Sequence, residues 1–253
     1  VLKSLLLSLA VAVAIVPAAR AADLNIYGPG GPAPAMKEAA ATFGKLRGVD
    51  VAVTAGPTSA WIEKARQDAD LVYSGSESMM TDFVTALGGQ IHSTDVEPLY
   101  LRAAAILVRP GNPKKIGGLA DLMKPGMKVL VVHGAGQTGM WEDVAGRSGD
   151  IVDVRRLRAN VASFAPNSAV ARQNWVEDPS FDAWIIWNIW QVSNPTLADL
   201  VEIDPEHRIY RDAGIVATTR GHDKPLAADF VAFLKSADGA AIFQKWGWIS
   251  PGR

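Results

Sequence analysis

The residues able to do chemistry sit in loops built from small side chains. Gly134-Ala135-Gly136-Gln137-Thr138-Gly139 follows the apolar run 128–132 and opens a helix-like stretch. A glycine-rich turn at a helix start offers N–H groups without intrahelical partners and a partial positive charge, so it can hold a small anion. Thr138 adds a hydroxyl to it. The G-x-G-x-x-G spacing is also that of a dinucleotide turn. That reading lacks its second half. No acidic residue closes a following strand at the required distance, and Asp150 and Asp153 lie in a helix-like stretch. A second loop, Gly28-Pro29-Gly30-Gly31-Pro32, is denser in Gly and Pro than a connection needs. Gly30 and Gly31 let the backbone come close to a ligand, and the prolines stiffen the loop so that less order must be created on binding. Such a nest of donors suits an anion.

Ser76 and Glu77 open a third segment of this kind. Ser76 can donate to a ligand or cap the helix, and Glu77 can complete a capping box with Ser74. A Glu77 that faced a cleft instead would accept hydrogen bonds and repel a fully ionised anion. It would favour a ligand carrying an OH, an NH or a retained proton. Trp184, Trp187 and Trp190 crowd the segment FDAWIIWNIW and read mainly as core, while Asn188 follows the strand and can reach a cleft. Arg147 ends the helix opened by the glycine-rich loop and is the basic candidate; Arg155, Arg156 and Arg158 read as solvated. The four histidines are scattered without ligand spacing, and no G-x-S-x-G, H-E-x-x-H or paired-carboxylate pattern occurs. Zero cysteines exclude a disulfide framework, a thiol nucleophile, Cys-ligated zinc and iron–sulfur clusters. No catalytic residue, metal ligand or cofactor is therefore expected.

The elements that must carry these loops alternate between short apolar runs and helix-length segments. Residues 24–27, 49–53 and 70–73 read as strands, each ending in a small-residue loop that opens a helix. Thr58 and Ser59 can cap the second of these helices. Residues 99–108 are apolar and extended, and 109–113 break sharply at Arg-Pro-Gly-Asn-Pro. The strand–loop–helix pattern restarts at 128. It continues through a helix capped by Asn167-Ser168, a buried strand over 182–187 and a short one over 200–203. A return crossing over 209–219 and C-terminal helices over 225–235 and 237–246 close the chain. The pattern predicts an α/β protein with mostly parallel strands, in two lobes joined by two crossings with a cleft between them. In open α/β sheets ligands sit at the carboxyl ends of strands, where these loops cluster.

Charge and the first residues narrow the class. The 253 residues include 25 basic and 26 acidic ones, with a formal net charge of −1. This balance lacks the basic excess of a nucleic-acid binder. Lys3, the apolar run 5–16, Pro17 and Ala19-Arg20-Ala21 read as a cleavable signal peptide over residues 1–21. The run is too short to cross a bilayer, which takes about 20 apolar residues. Without residues 1–21 the net charge is −3, since Lys3 and Arg20 leave and no acid does. The expected mature protein is exported to a periplasm and does not span a membrane.

Five stretches then carry a resemblance: IYGPGGPAPAM, AGPTSAWIEKARQDADLVYSGSESMM, ILVRPGNPKKI, GQTGMWEDVAGR and DAWIIWNIW. Together they resemble, in order along the mature chain, the accessory colonization factor AcfC family, itself similar to periplasmic binding proteins for molybdate and sulfate. The resemblance implies a type II periplasmic-binding-protein fold. The expected division is lobe 1 over 22–107 and 210–253 and lobe 2 over 108–209, with a ligand cleft between them. It implies capture of a small anion by cleft closure: a sulfate-like oxyanion, or a carboxylated or phosphorylated metabolite. It further implies ABC-type uptake through a permease. Carried over residue by residue, the ligand-holding places are Gly30, Gly31, Thr58, Ser76, Gln137, Thr138, the helix start at Asn167-Ser168, and Asn188. Glu77 departs from a pure oxyanion site and argues for a ligand bearing a proton. A secreted enzyme acting on a small anionic substrate, or a surface colonisation factor without transport role, are the other functions this fold would allow.

Overall fold

The computed structural model describes residues 21–250, so the predicted signal peptide lies outside the described residues except for Ala21. The first unit is β1 (Leu24–Gly28), α1 (Ala33–Arg47), β2 (Val51–Ala55), α2 (Ile62–Asp68), β3 (Leu71–Tyr73) and α3 (Glu77–Leu87). A long strand, β4 (Glu97–Val108), leads out of it. The second unit comprises α4 (Leu119–Leu122), β5 (Val129–Val132), α5 (Met140–Gly146), α6 (Ile151–Asn160), β6 (Val161–Ala165), α7 (Ser168–Glu177), β7 (Ala183–Trp187), α8 (Ile189–Ser193) and β8 (Asp199–Glu202). The chain returns through β9 (Tyr210–Ala217) and ends in α9 (Thr219–His222), α10 (Pro225–Leu234) and α11 (Ala237–Lys245).

The strands follow the order β2-β1-β3-β9-β4-β7-β5-β6, with β8 also on β4. β1 pairs in parallel with β2 and β3, and β5 in parallel with β6 and β7. The crossing strands run the other way. β9 is antiparallel to β3 and to residues 97–103 of β4, while residues 104–108 of β4 are antiparallel to β7 and β8. The sheet is therefore mixed, and the expectation of mostly parallel strands holds only inside each lobe. The result is two α/β lobes joined by two crossing strands. β4 serves both lobes with two different halves: residues 104–108 are apolar and buried throughout, whereas Glu97, Pro98 and Leu101 in the β9-paired half are exposed.

Alternation places the core. Leu24, Ile26, Leu71 and Tyr73 enter a cluster with α1, α10 and α11, whereas Tyr27 and Val72 point to the opposite face and pack with Trp61, Met80 and Phe83. The C-terminal return is anchored by Asp70, fully buried, which accepts from Arg220 at 2.9 Å, Lys224 at 2.8 Å and the Asn25 N–H at 2.8 Å. Asp70 is the buried member, while Arg220 and Lys224 reach solvent at 52% and 28% exposure, so two partly screened cations share one buried carboxylate.

Local details depart from the sequence reading in three places. β6 was not expected; only its last residue, Ala165, is fully buried, so it shows no clean apolar alternation. α2 starts at Ile62 behind a single tight turn, Thr58–Ala60, and neither Thr58 nor Ser59 caps it. The box of Ser74 with Glu77 does not form. Ser76 is the N-cap of α3, accepting from the Met79 N–H at 3.2 Å, which places Glu77 at the first helical position.

Candidate functional site

The carboxyl ends of β1, β2 and β3 in one lobe and of β5 and β6 in the other carry loops that surround one cavity of about 100 Å³. Residues 29–32 follow β1, Gly56 and Pro57 follow β2, and Gly75 follows β3. Ala135 and Gln137 follow β5, and Asn167, Ser168 and Ala169 follow β6. Trp190 of α8 and Met79 of α3 complete the walls. The volume has room for several water-sized groups, which is the scale of a small polyatomic anion. Its first-lobe side is mostly backbone, supplied by Gly and Pro. Its second-lobe side carries polar side chains.

Arg102 is the one charged residue among the described residues lining this cavity. It sits near the end of the β9-paired half of β4 and is 4% exposed. Its guanidinium lies between two indoles, 4.6 Å from the Trp187 ring centroid and 5.3 Å from that of Trp248. Such stacking holds a desolvated cation in place. One Nη donates to the Gly75 carbonyl, and Nε is buried without a hydrogen-bond partner. Gly31 and Gly75 must lack side chains here, because a Cβ at Gly31 would stand 3.0 Å from Nη1 and one at Gly75 2.7 Å from Nη2. Burial pushes the Arg102 guanidinium down to about 9, with the Asp212 charge opposing the shift through space. It remains a cation at neutral pH, and no carboxylate lies within ion-pair distance of it among the described residues. A buried charge in that position calls for an anion.

On the opposite wall Gln137, 5% exposed, donates from Nε2 to the Ser168 hydroxyl at 2.6 Å, leaving Oε1 without a partner. Asn167 caps α7 by accepting from the Val170 N–H at 3.0 Å. The following Ser168 stands at the first turn, where helix N–H groups have no partner in the helix.

The residues singled out from sequence are thus distributed. Gly30, Gly31, Gln137 and Ser168 line the cavity. Ser76 lies at its edge, fully buried, donating to the Gly136 carbonyl at 3.3 Å while capping α3. Thr58 is one residue beyond the lining Pro57, in the turn before α2. Glu77 and Thr138 face a neighbouring recess of about 330 Å³, together with Asp212 and Arg211. There burial and the Asp212 carboxylate hold the Glu77 carboxyl above its ordinary range. Asn188 turns from the cavity and donates to the Gly247 carbonyl at 2.7 Å, tying down the C-terminal segment. Arg147 is exposed at the C-cap of α5, a helix of seven residues that carries it about 10 Å from the loop that starts it. Arg102 is the charged group that sequence reasoning overlooked. Its signal was present as a lone charge inside the otherwise apolar LYLRAAAILV.

A cleft between two α/β lobes, walled by helix starts and holding one unpaired buried cation, defines a binding protein for small anions. The chain belongs to the bacterial extracellular solute-binding protein family, whose profile matches residues 24–249. Among solved structures it is similar to PEB3 with L-phospholactate bound, at 38% identity and a TM-score of 0.85, covering 90% of this chain and 100% of that one. It is also similar to Peb3 from Campylobacter jejuni, at 37% identity and a TM-score of 0.84 over the same shares. The sulfate-binding protein SubI from Mycobacterium tuberculosis shares the fold at 18% identity and a TM-score of 0.74, over 90% of this chain and 87% of that one. Comparison with curated proteins finds no match.

Proposed function

We propose that this is a periplasmic, AcfC-like member of the family that captures a small phosphorylated or carboxylated anion by closing its lobes, and passes it to an ABC-type permease. The observation that carries the reading is Arg102, a buried cation at the cavity wall whose Nε has no protein partner. Glycine loops and helix starts around it add donors from both lobes. An anion in the cavity would touch Arg102 and Gly31 on one side and Gln137 and Ser168 on the other. Only the closed arrangement makes both sets of contacts, so the ligand's differential affinity drives closure. Each charge-assisted hydrogen bond contributes about 1.5–3 kcal/mol. PEB3 was crystallised with L-phospholactate, a phosphate and a carboxylate on one small skeleton, and that ligand class fits these donors. The described lining residues supply donors and one cation, with neither carboxylate nor imidazole to move a proton, which suits retention rather than turnover. Titration calorimetry with L-phospholactate, sulfate and molybdate, preceded by native mass spectrometry of the purified protein, tests the reading. One anion bound per chain is expected. Failure of all three to bind at millimolar concentration, with no anion co-purifying, would overturn it.

A further inference from the structure

Between the cavity and the acidic recess the two lobes touch. Ser76, at the start of α3, meets Gly136, in the loop between β5 and α5. The residues around the contact sort by side. Ala135, Gln137, Gly75 and Met79 line the cavity, whereas Gly136, Thr138, Glu77 and Ser78 line the recess. Ser76 Oγ donates to the Gly136 carbonyl at 3.3 Å and is itself held by the cap bond from the Met79 N–H at 3.2 Å. It cannot swing aside without uncapping α3. Gly136 has φ +74°, and a Cβ there would stand 2.6 Å from Ser76 Oγ and 3.0 Å from Met79 Cβ, the latter fixed to the helix backbone. The lobes meet at this point because Gly136 has no side chain.

We infer that Gly136 is the positioning residue for lobe closure, and that its contact with Ser76 ends the ligand cavity, restricting the ligand to a small anion with no extension into the acidic recess. The inference rests on the solute-binding reading above, since closure matters only if a ligand is enclosed. A methyl group at 136 would hold the lobes apart. The apparent affinity then falls by the fraction of chains that still reach the closed form. Forcing a methyl into a filled contact gives a loss of roughly five- to hundredfold. Gly139 supplies the control. It lies in the same loop with φ +75°, so alanine there suffers the same backbone strain, yet a Cβ would meet no heavy atom within 4 Å.

The experiment pairs calorimetry, using L-phospholactate as probe, with the distance between spin labels on the two lobes. The chain has no cysteine, so Leu46→Cys and Val176→Cys, both at exposed positions, give two unique attachment points. Gly136→Ala should bind five- to hundredfold more weakly and fail to reach the label distance of the liganded parent protein, while Gly139→Ala stays within about threefold. Equal losses in the two variants, or normal closure in Gly136→Ala, would overturn the inference. Should Gly136→Ala not fold, Ser76→Ala removes the hydrogen bond across the contact. Incomplete closure then supports the inference and full closure overturns it. A parent protein that binds no probe defeats the solute-binding reading instead. In that case the label distances without ligand decide about Gly136: longer in Gly136→Ala supports its role, and equal sinks it.

Discussion

The two hollows on either side of the Ser76–Gly136 contact share the loops after β3 and β5 and differ in charge. The cavity holds Arg102 and no carboxylate among the described residues. The recess holds Glu77 and Asp212, and its Arg211 is already paired with Asp143 at 2.6 Å. Helix starts face both, so N–H groups and dipoles alone do not say where an anion goes. The sign of the charge that cannot be satisfied within the protein does. In the recess the excess is negative and repels an anion; in the cavity it is positive and desolvated, where Coulomb attraction is least screened.

The largest expected effect breaks this comparison at its source. Arg102→Met keeps an unbranched side chain between Trp187 and Trp248 and removes the cation. Truncating one partner of a buried charged contact costs about 2–5 kcal/mol, so affinity for L-phospholactate should fall about hundredfold or more. The unliganded protein should melt at the same temperature or higher, because an unpaired buried charge is a cost that the ligand offsets. Calorimetry and thermal melts check both halves. A hundredfold loss accompanied by a large drop in melting temperature would instead make Arg102 a structural residue.

A smaller effect tests the second-lobe wall. Ser168→Ala takes away the acceptor that holds Gln137 Nε2. One neutral hydrogen bond is worth about 1 kcal/mol, so affinity should weaken about fivefold and the fold should persist, since Asn167 still caps α7. An unchanged affinity would show that the first lobe and Arg102 suffice.

The difference between the hollows also explains what was legible in the sequence. Loops whose role is local could be read. The GPGGP segment, the Gly134–Gly139 turn and the Asn167-Ser168 cap announce themselves by residue type, and all three reach the cavity. The parallel strands inside each lobe followed from the same patterning. What decides the sign of the site is non-local. Arg102 is brought to the loops of β1 and β3 by the sheet order β1-β3-β9-β4, which no spacing along the chain reveals. Glu77 and Thr138 looked like cavity residues because they adjoin Ser76 and Gln137. Successive residues at such a helix start point to different sides, and one position was enough to turn both into the recess. Asn188 was placed by its strand but claimed by Gly247, 59 residues away in the chain. The antiparallel direction of the crossings escaped because an apolar run reads the same in either direction along the chain.

The smallest effect sharpens the comparison from the recess side. Partial desolvation, and then the charge and hydrogen bonding of Asp212, raise the Glu77 pKa above its ordinary 4.5. A carboxyl raised in the folded chain binds its proton more readily there than when unfolded. Its contribution to stability is fully present below pH 4.5 and is lost as pH climbs through the raised value, where Glu77 gives up its proton. Glu77→Gln removes that dependence. Relative to this variant the parent protein should therefore lose melting temperature as pH rises from 4 to 7, by about a degree or two at most given how exposed the side chain is. Affinity for L-phospholactate should stay within about twofold, because the carboxylate faces the recess and not the cavity. A Glu77 that bonded the ligand's proton would behave otherwise. Glu77→Gln would then change the preference between L-phospholactate and sulfate about tenfold, as expected for a hydrogen bond involving a charged group. Melting curves across pH with competition binding at neutral pH separate the two outcomes. A tenfold change in preference would mean that the ligand passes the Ser76–Gly136 contact and that the two hollows act as one site.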